Sequence, residues 1–460
     1  MLFDRVLERA VQHQMYLDTQ SRISTEEVKN IINRTKDDVS NKHYDFSSYD
    51  SLVLQQNNKK RRVKQYSGLY SSESILCQCI KQILDTTGRV RFINRNKALH
   101  SLFNTLPAII QMMDFTIVKF DFHDYFNSVS TVYVFEKYIK SKLKDRFEID
   151  LICDFAKQTK YAYAGLCTSN SIAEIVASHF DEAVSQAFKP YGLVYHRRYV
   201  DDSIVILNQN LDSSSVQNIL DNVLKSIFHD PLVNVDEKCT TKYNMSKYVY
   251  ITRRTLTQTM QFFDFLGYAF YLGVDVNGKV LIKYGITPEK MAKYNDRLDK
   301  LIGLFLDIDS PDYNNTELLR HRISAFTRRE VYQKNHYSSV VWKVKGFISN
   351  YGELRYMLET GLVHSDTLLF LKNMVEDAFQ RAGLQRPYYL CGNEPIKCGY
   401  NLFGNMKSNK TILLVEHIGY NYDSLARICQ QIGISQENEG RKYTYGELVR
   451  LYLIKVKVGY

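Results

Sequence analysis

The tetrapeptide Tyr199-Val200-Asp201-Asp202 constrains this chain more than any other feature. Tyr195-His196-Arg197-Arg198 precedes it and the apolar run Ser203-Ile204-Val205-Ile206-Leu207 follows, a pattern that predicts strand, tight turn, strand. Asp is a favoured turn residue, so both carboxylates would stand side by side at the tip of a β-hairpin, partly desolvated. Adjacent carboxylates repel each other, and a divalent cation is the usual remedy. An ordinary Asp-Asp turn has the same tetrapeptide, so other segments must decide between the two readings.

Upstream, Phe115-Thr116-Ile117-Val118-Lys119-Phe120 is β-prone and delivers Asp121 at its end, ahead of Phe122-His123-Asp124-Tyr125-Phe126-Asn127-Ser128-Val129. Two-metal nucleotidyl transfer needs carboxylates from different strands converging on one point. Asp121 with Asp201 and Asp202 supplies such a set.

Here the chain resembles the reverse transcriptases. Asp121 to Val129 matches their first catalytic motif: Asp, three variable residues, an aromatic pair, one residue, then Ser and Ile or Val. Tyr199 to Asp202 matches the aromatic-x-Asp-Asp motif. Gly165-Leu166-Cys167-Thr168-Ser169-Asn170-Ser171, followed by Ile172-Ala173-Glu174-Ile175-Val176, takes the place of the second motif, a Gly-rich turn opening a helix. Leu232 to Thr240 is similar to the fourth motif, with Lys238 in its Lys-x-Thr ending, and Phe265-Leu266-Gly267-Tyr268 matches the primer-grip motif. The resemblance covers about residues 85 to 300.

The resemblance implies an α+β, right-hand polymerase fold. Its parts would be a helical N-terminal extension over 1–65, fingers and palm with an antiparallel sheet over 66–285, a helical thumb over 286–380 and a small C-terminal unit over 381–460. It also implies two Mg²⁺ ions, with Mn²⁺ as the alternative, held by Asp121, Asp201, Asp202 and the backbone carbonyl of Phe122. Phe126 would lie against the sugar of a dNTP and exclude a 2′-hydroxyl, with Tyr199, Ser169 and Asn170 also at the substrate. Lys238 would neutralise or protonate the departing pyrophosphate, and Phe265, Leu266, Gly267 and Tyr268 would steady the primer end. Gly88 to Asn94 reads as a turn into a short strand on which Arg89 and Arg91 share one face, and guanidinium forks there suit triphosphate oxygens.

One departure bears on the template. Most reverse transcriptases carry Pro-Gln-Gly in the second motif, where this chain has Cys167-Thr168-Ser169-Asn170. That form is similar to the defence-associated and abortive-infection reverse transcriptases of bacteria, some thought to use a dedicated noncoding RNA and others a protein primer or no conventional template. The implied partners are dNTPs and nucleic acid, RNA or DNA, including such a noncoding RNA, with a second copy or a companion defence protein. No RNase H-like, integrase or His-Asn-His nuclease pattern accompanies the core, which favours a stand-alone polymerase over a mobile-element enzyme. An inactive scaffold would usually have lost a carboxylate, and an RNA-dependent RNA polymerase would avoid a bulky aromatic gate.

Composition agrees without deciding. Lys and Arg number 60 against 50 Asp and Glu, a net +10 that leaves room for a polyanionic partner. The eight cysteines lack His or Cys partners at zinc spacing and suit free thiols in a reducing cytoplasm. No run of about 18 apolar residues occurs, and Met1-Leu2-Phe3-Asp4-Arg5 opens a charged helix, so a cytoplasmic protein with no membrane partner is expected. Gln55 to Arg62 reads as a loop. Helices are expected over Val132 to Ala156, from the Gly165 turn to Ser185 and over Ser215 to Phe228, with strands at Tyr248 to Thr252 and Gln261 to Tyr271. Beyond Pro288 the pattern is mostly helical, with Tyr294, Leu298, Leu301 and Phe305 on one stripe.

Overall fold

The computed structural model describes residues 2–17, 24–56, 59–336, 339–385, 400–435, 437–438 and 440–458, and the chain divides into two units, residues 1–255 and 256–460. Both mix helices with mainly antiparallel sheet, an α+β arrangement. In the first unit, helices α1 (Leu2–Leu17) and α2 (Thr25–Ser40) precede a hairpin of β1 (Tyr49–Gln56) and β2 (Lys59–Tyr66). This hairpin occupies the stretch from Gln55 to Arg62 that its polar composition predicted as a loop. Pairing runs from Tyr49↔Tyr66 to Gln56↔Lys59, and the β-prone Leu52, Val53 and Leu54 lead it into the polar stretch. Asn57 and Asn58, also in that stretch, lie outside the described residues.

Helices α3 (Ser72–Thr87) and α4 (Arg95–Ile109) come next. The segment between them is a capped linker rather than the predicted strand. The Val90 N–H donates back to the Asp85 carbonyl, and the Asn94 side chain caps α4 by accepting from the N–H groups of Asn96 and Lys97.

After β3 (Thr116–His123), the short helices α5 (Tyr125–Ser128) and α6 (Thr131–Val134) run into a π-helical turn at Phe135–Ile139. Leu143 is then extended and Asp145 caps a fresh start at α7 (Arg146–Thr159), so the single helix predicted over 132–156 is interrupted. Next come α8 (Ser169–Phe188), β4 (Leu193–Tyr199), β5 (Asp202–Leu207), α9 (Ser213–Phe228), β6 (Lys242–Tyr243) and β7 (Val249–Thr252). The sheet order is β4-β5-β3-β6, with β7 also on β3, and every pairing is antiparallel.

The pleat sorts the two faces of β3. Val118, Phe120 and Phe122 enter the apolar core, where the Phe122 ring centroid lies 5.1 Å from Phe180 of α8 and 5.6 Å from Phe228 of α9. Lys119 and Asp121 alternate to the opposite face. Burying one such ring contributes about 3 kcal/mol, and a one-residue slip would exchange Phe122 with Asp121, so the core fixes the register that presents the carboxylate.

In the second unit, β8 (Gln261–Phe265), β9 (Tyr268–Val274) and β10 (Val280–Ile286) form an antiparallel meander. The single strand predicted from Gln261 to Tyr271 is therefore two, joined by a turn at Leu266 and Gly267. Helix α10 (Pro288–Leu306) buries Tyr294, Leu298, Leu301 and Ile302, while Phe305 is only half-buried. Then follow α11 (Tyr313–Thr327), β11 (Arg329–His336), β12 (Ser339–Lys345), α12 (Phe347–Asn350), α13 (Ser365–Arg381), α14 (Leu402–Lys407), β13 (Thr411–Leu414), α15 (Tyr422–Gln431) and α16 (Tyr445–Val456). Strand β11 pairs antiparallel with β12 and parallel with β13, a sheet inside the mostly helical region. Among the described residues, no helix is long and apolar enough to cross a membrane.

Candidate active site

Antiparallel pairing sets Asp121 of β3 directly opposite Asp202, the first residue of β5. Such partners stand about 5 Å apart at Cβ, where like charges repel. Tyr199 also pairs with Asp202, which leaves Val200 and Asp201 as a two-residue turn. The Phe122 N–H donates to the Asp201 carbonyl at 3.2 Å and ties this turn to β3. Val200 has φ +60°, a left-handed conformation that a β-branched residue avoids. Strain of this kind costs about 1–3 kcal/mol and persists only where the surroundings enforce it.

Two lysines meet the carboxylates. Lys247 Nζ donates to Asp121 Oδ2 at 2.7 Å, and Lys119 Nζ lies 3.3 Å from Asp202 Oδ1. Asp121 and Lys119 are buried, at 4% and 2% exposure. Burial works against the charge on Lys247, but its hydrogen bond to Asp121 and the fields of Asp121, Asp201 and Asp202 outweigh that and raise its pKa.

Carboxylate oxygens are the donors that Mg²⁺ takes. Among the described residues, no group of three or more His, Cys, Asp and Glu side chains gathers closely enough to hold a metal ion. The donor chemistry nonetheless fits a cation, because the half-exposed Lys247 ammonium is already drawn to Asp121.

A cavity of about 270 Å³ adjoins the turn, with Tyr125, Phe126, Asn170, Tyr199 and Val200 in its wall. A second, of about 340 Å³, lies between Leu54 and Val63 of the β1–β2 hairpin and Leu166, Cys167 and Ser169 at the entry to α8, and Phe126 and Asn170 line both. Gly165 permits that approach: its φ is +107°, and a Cβ there would sit 2.4 Å from the Lys64 carbonyl oxygen.

The remaining residues singled out by the sequence are dispersed. The Phe122 side chain is in the core, so only its backbone could serve a ligand. Ser169 is buried and its hydroxyl donates to the Tyr163 carbonyl. Arg89 and Arg91 are exposed on the linker and share no strand face; their neighbours Phe92 and Ile93, not they, line the first cavity. Lys238 is exposed in the loop between α9 and β6, whereas Lys247 holds the position on Asp121. Phe265 and Tyr268 are buried and pair across the Leu266–Gly267 turn of the second unit, where both turn residues have positive φ, +53° and +86°. That is the two-residue hairpin type in which Gly is favoured.

Sequence reasoning missed Arg198, which is 1% exposed and forks onto Glu174 and Asp181 of α8. Its signal was faint: two acids seven residues apart, two helical turns, and an Arg at the end of an alternating strand. Beside it, desolvation and then the charges of Arg198 and Arg197 push His196 down to about 3, so this ring is neutral, with Nδ1 3.1 Å from Ser185 Oγ.

No family model and no curated protein matches the sequence. Among solved structures, the chain is similar to apo telomerase from Candida tropicalis truncated from the C-terminal domain. The identity is 11% and the TM-score 0.34, over 56% of this chain and 60% of that one. So faint a likeness leaves the carboxylate turn itself as the support for a functional reading.

Proposed function

We propose that this chain is a polymerase of the reverse transcriptase type, transferring deoxynucleotides onto a hydroxyl. The observation that carries the reading is the pairing of Asp121 with Asp202 across β3 and β5, with Asp201 in the adjoining turn. Asp121, Asp201, Asp202 and the Phe122 carbonyl would hold two Mg²⁺ or Mn²⁺ ions, which when bound activate the attacking hydroxyl and neutralise triphosphate charge. Lys247 would leave Asp121 and keep its ammonium near the anionic leaving group, a role the sequence pattern assigns to Lys238. Tyr125, Phe126 and Tyr199 offer flat walls to a base and sugar, and Phe126 would turn away a 2′-hydroxyl. On this reading the β4-β5-β3-β6 sheet is a palm, the β1–β2 hairpin with α3 and α4 supplies fingers, and the helices after Pro288 supply a thumb.

Cys167, Ser169 and Asn170 line the second cavity where most reverse transcriptases have Pro-Gln-Gly. That altered surface favours restricted synthesis, on a dedicated noncoding RNA or from a protein hydroxyl and in antiviral defence, over copying of arbitrary templates.

Incorporation of each labelled dNTP, with and without supplied RNA and divalent metal, tests the proposal. Wild-type protein should form product only with Mg²⁺ or Mn²⁺. Asp201→Asn should lose about a thousandfold in rate or more, as expected when a charge acting on the transition state is removed, while keeping the wild-type unfolding midpoint. Near-normal incorporation by a folded Asp201→Asn protein would refute the assignment.

A further inference from the structure

Arg198 is saturated. A guanidinium has five N–H donors, and all five are used here. Nε donates to Asp181 Oδ1 at 2.9 Å, and one terminal nitrogen to Asp181 Oδ2 and Glu174 Oε1, both at 2.9 Å. The other terminal nitrogen donates to Glu174 Oε2 at 3.1 Å and to the Val200 carbonyl at 2.9 Å. Four bonds clamp the side chain to α8, and the fifth reaches the strained turn.

That fifth bond falls on the peptide joining Val200 to Asp201. Fixing the carbonyl direction fixes ψ of Val200 and φ of Asp201 together, since the peptide between them is planar. Val200 stands at φ +60°, where its own preference pulls the turn elsewhere. Something must hold it, and a buried cation immobilised by two carboxylates is a rigid support. Helix α8 carries both acids, so the Val200 side of the turn is referenced to that helix, as the Asp201 side is to β3 through the Phe122 N–H.

We propose that Arg198, clamped by Glu174 and Asp181, is the positioning residue that holds the Val200–Asp201 turn and so sets where the Asp201 and Asp202 carboxylates stand. The inference rests on the nucleotidyl-transfer reading of those carboxylates. Arg198 takes no part in bond making; it acts through the Val200 carbonyl. Lysine cannot replace it, because three tetrahedral donors cannot fork onto two carboxylates and also reach the turn.

The test measures dNTP incorporation by Arg198→Lys and Glu174→Gln beside wild type, as kcat, KM for dNTP and the Mg²⁺ concentration for half-maximal rate. Arg198→Lys should lower kcat about 100-fold, the scale of a small misplacement of reacting groups, with dNTP KM changed less than about threefold. The Mg²⁺ requirement should rise in step with the loss of kcat, a readout that general loosening of the fold does not single out. Glu174→Gln keeps an acceptor oxygen and should lose about tenfold in kcat, which decides the matter if Arg198→Lys does not fold. Folded variants with wild-type kcat and Mg²⁺ dependence overturn the inference, as does a change confined to KM, which would make Arg198 part of the nucleotide cavity wall. A wild-type protein that incorporates nothing under any metal or template removes the polymerase reading first, and the inference with it.

Discussion

Two of the two-residue turns share one pairing plan and differ in how they are held. Val200–Asp201 is closed by the Tyr199↔Asp202 pair and Leu266–Gly267 by the Phe265↔Tyr268 pair. Both turns open on a branched residue at positive φ, Leu266 at +53° and Val200 at +60°; the second follows it with Gly267 at φ +86°, where glycine is at ease, and the first braces its β-branched residue with Arg198. Two buried charges differ in the same way. Arg198 has two carboxylates folded around it, whereas Glu330 of β11, 4% exposed, has its charge only partly offset by Lys345. The strain at Val200 and the buried charge of Arg198 come with their compensation, as expected where a conformation is kept for chemistry.

The contrast in buried charge predicts the largest effect on stability. Desolvation pushes Glu330 up to about 7 from an ordinary 4.5, against a smaller downward pull from Lys345. Below pH 4.5 the side chain is protonated in folded and unfolded chains alike and costs nothing. Between 4.5 and 7 the folded chain holds a proton that the unfolded chain has released, so stability falls as pH rises. By pH 8 the loss is on the order of 3 kcal/mol. Urea unfolding of the full chain at pH 5 and pH 8 should show it, and Glu330→Gln should flatten the wild-type slope. Equal slopes in the two proteins would place the charged group in a wetter setting than the structure gives it.

Some of this was legible in the sequence because it rests on local pattern. The β-prone run that ends on Asp121, the apolar run after Asp202 and the Gly165 turn into a helix each follow from one short stretch or one glycine, and the structure has all three. The β1–β2 hairpin and the interrupted helix at Phe135–Ile139 were not, since polar composition at a tip hides pairing and a π-turn leaves no mark on periodicity. Arg91 was misread for a related reason: Val90, Arg91 and Phe92 alternate like a strand but have no strand to pair with. Lys247 and the Arg198 clamp depend on contacts across 126 and 24 positions of sequence, of which spacing carries no sign for the first and a faint one for the second. What the pattern could supply was the set of carboxylates; what holds them came only with tertiary structure.

The second turn gives the next effect. Gly267→Val puts a β-branched residue at φ +86°, where the nearest atoms to a new Cβ are Tyr351 Oη at 3.4 Å and Lys290 Cε at 3.5 Å. A Cβ meets only ordinary contacts there, so the main cost is conformational, about 2 kcal/mol for a β-branched residue in the left-handed region. A lower urea midpoint with an unchanged slope should report it. No loss would mean that the β8–β9 turn tolerates either residue, and the comparison with Val200 would lose its basis.

The smallest effect comes from the reciprocal change. Val200→Gly releases strain of about 1–3 kcal/mol but adds freedom to the unfolded chain, worth about 0.5–1 kcal/mol, and exposes some apolar surface in the cavity wall. Val200 is already 38% exposed, so the lost burial is small, on the order of 1 kcal/mol. The terms nearly cancel, and stability should stay within about 1 kcal/mol of wild type, against the clear loss expected for Gly267→Val. Urea midpoints of both variants, measured side by side, decide whether the asymmetry is real. A drop for Val200→Gly as large as that for Gly267→Val would mean that valine is comfortable at φ +60° in this turn, and the Arg198 bond would then be bracing nothing that needs it.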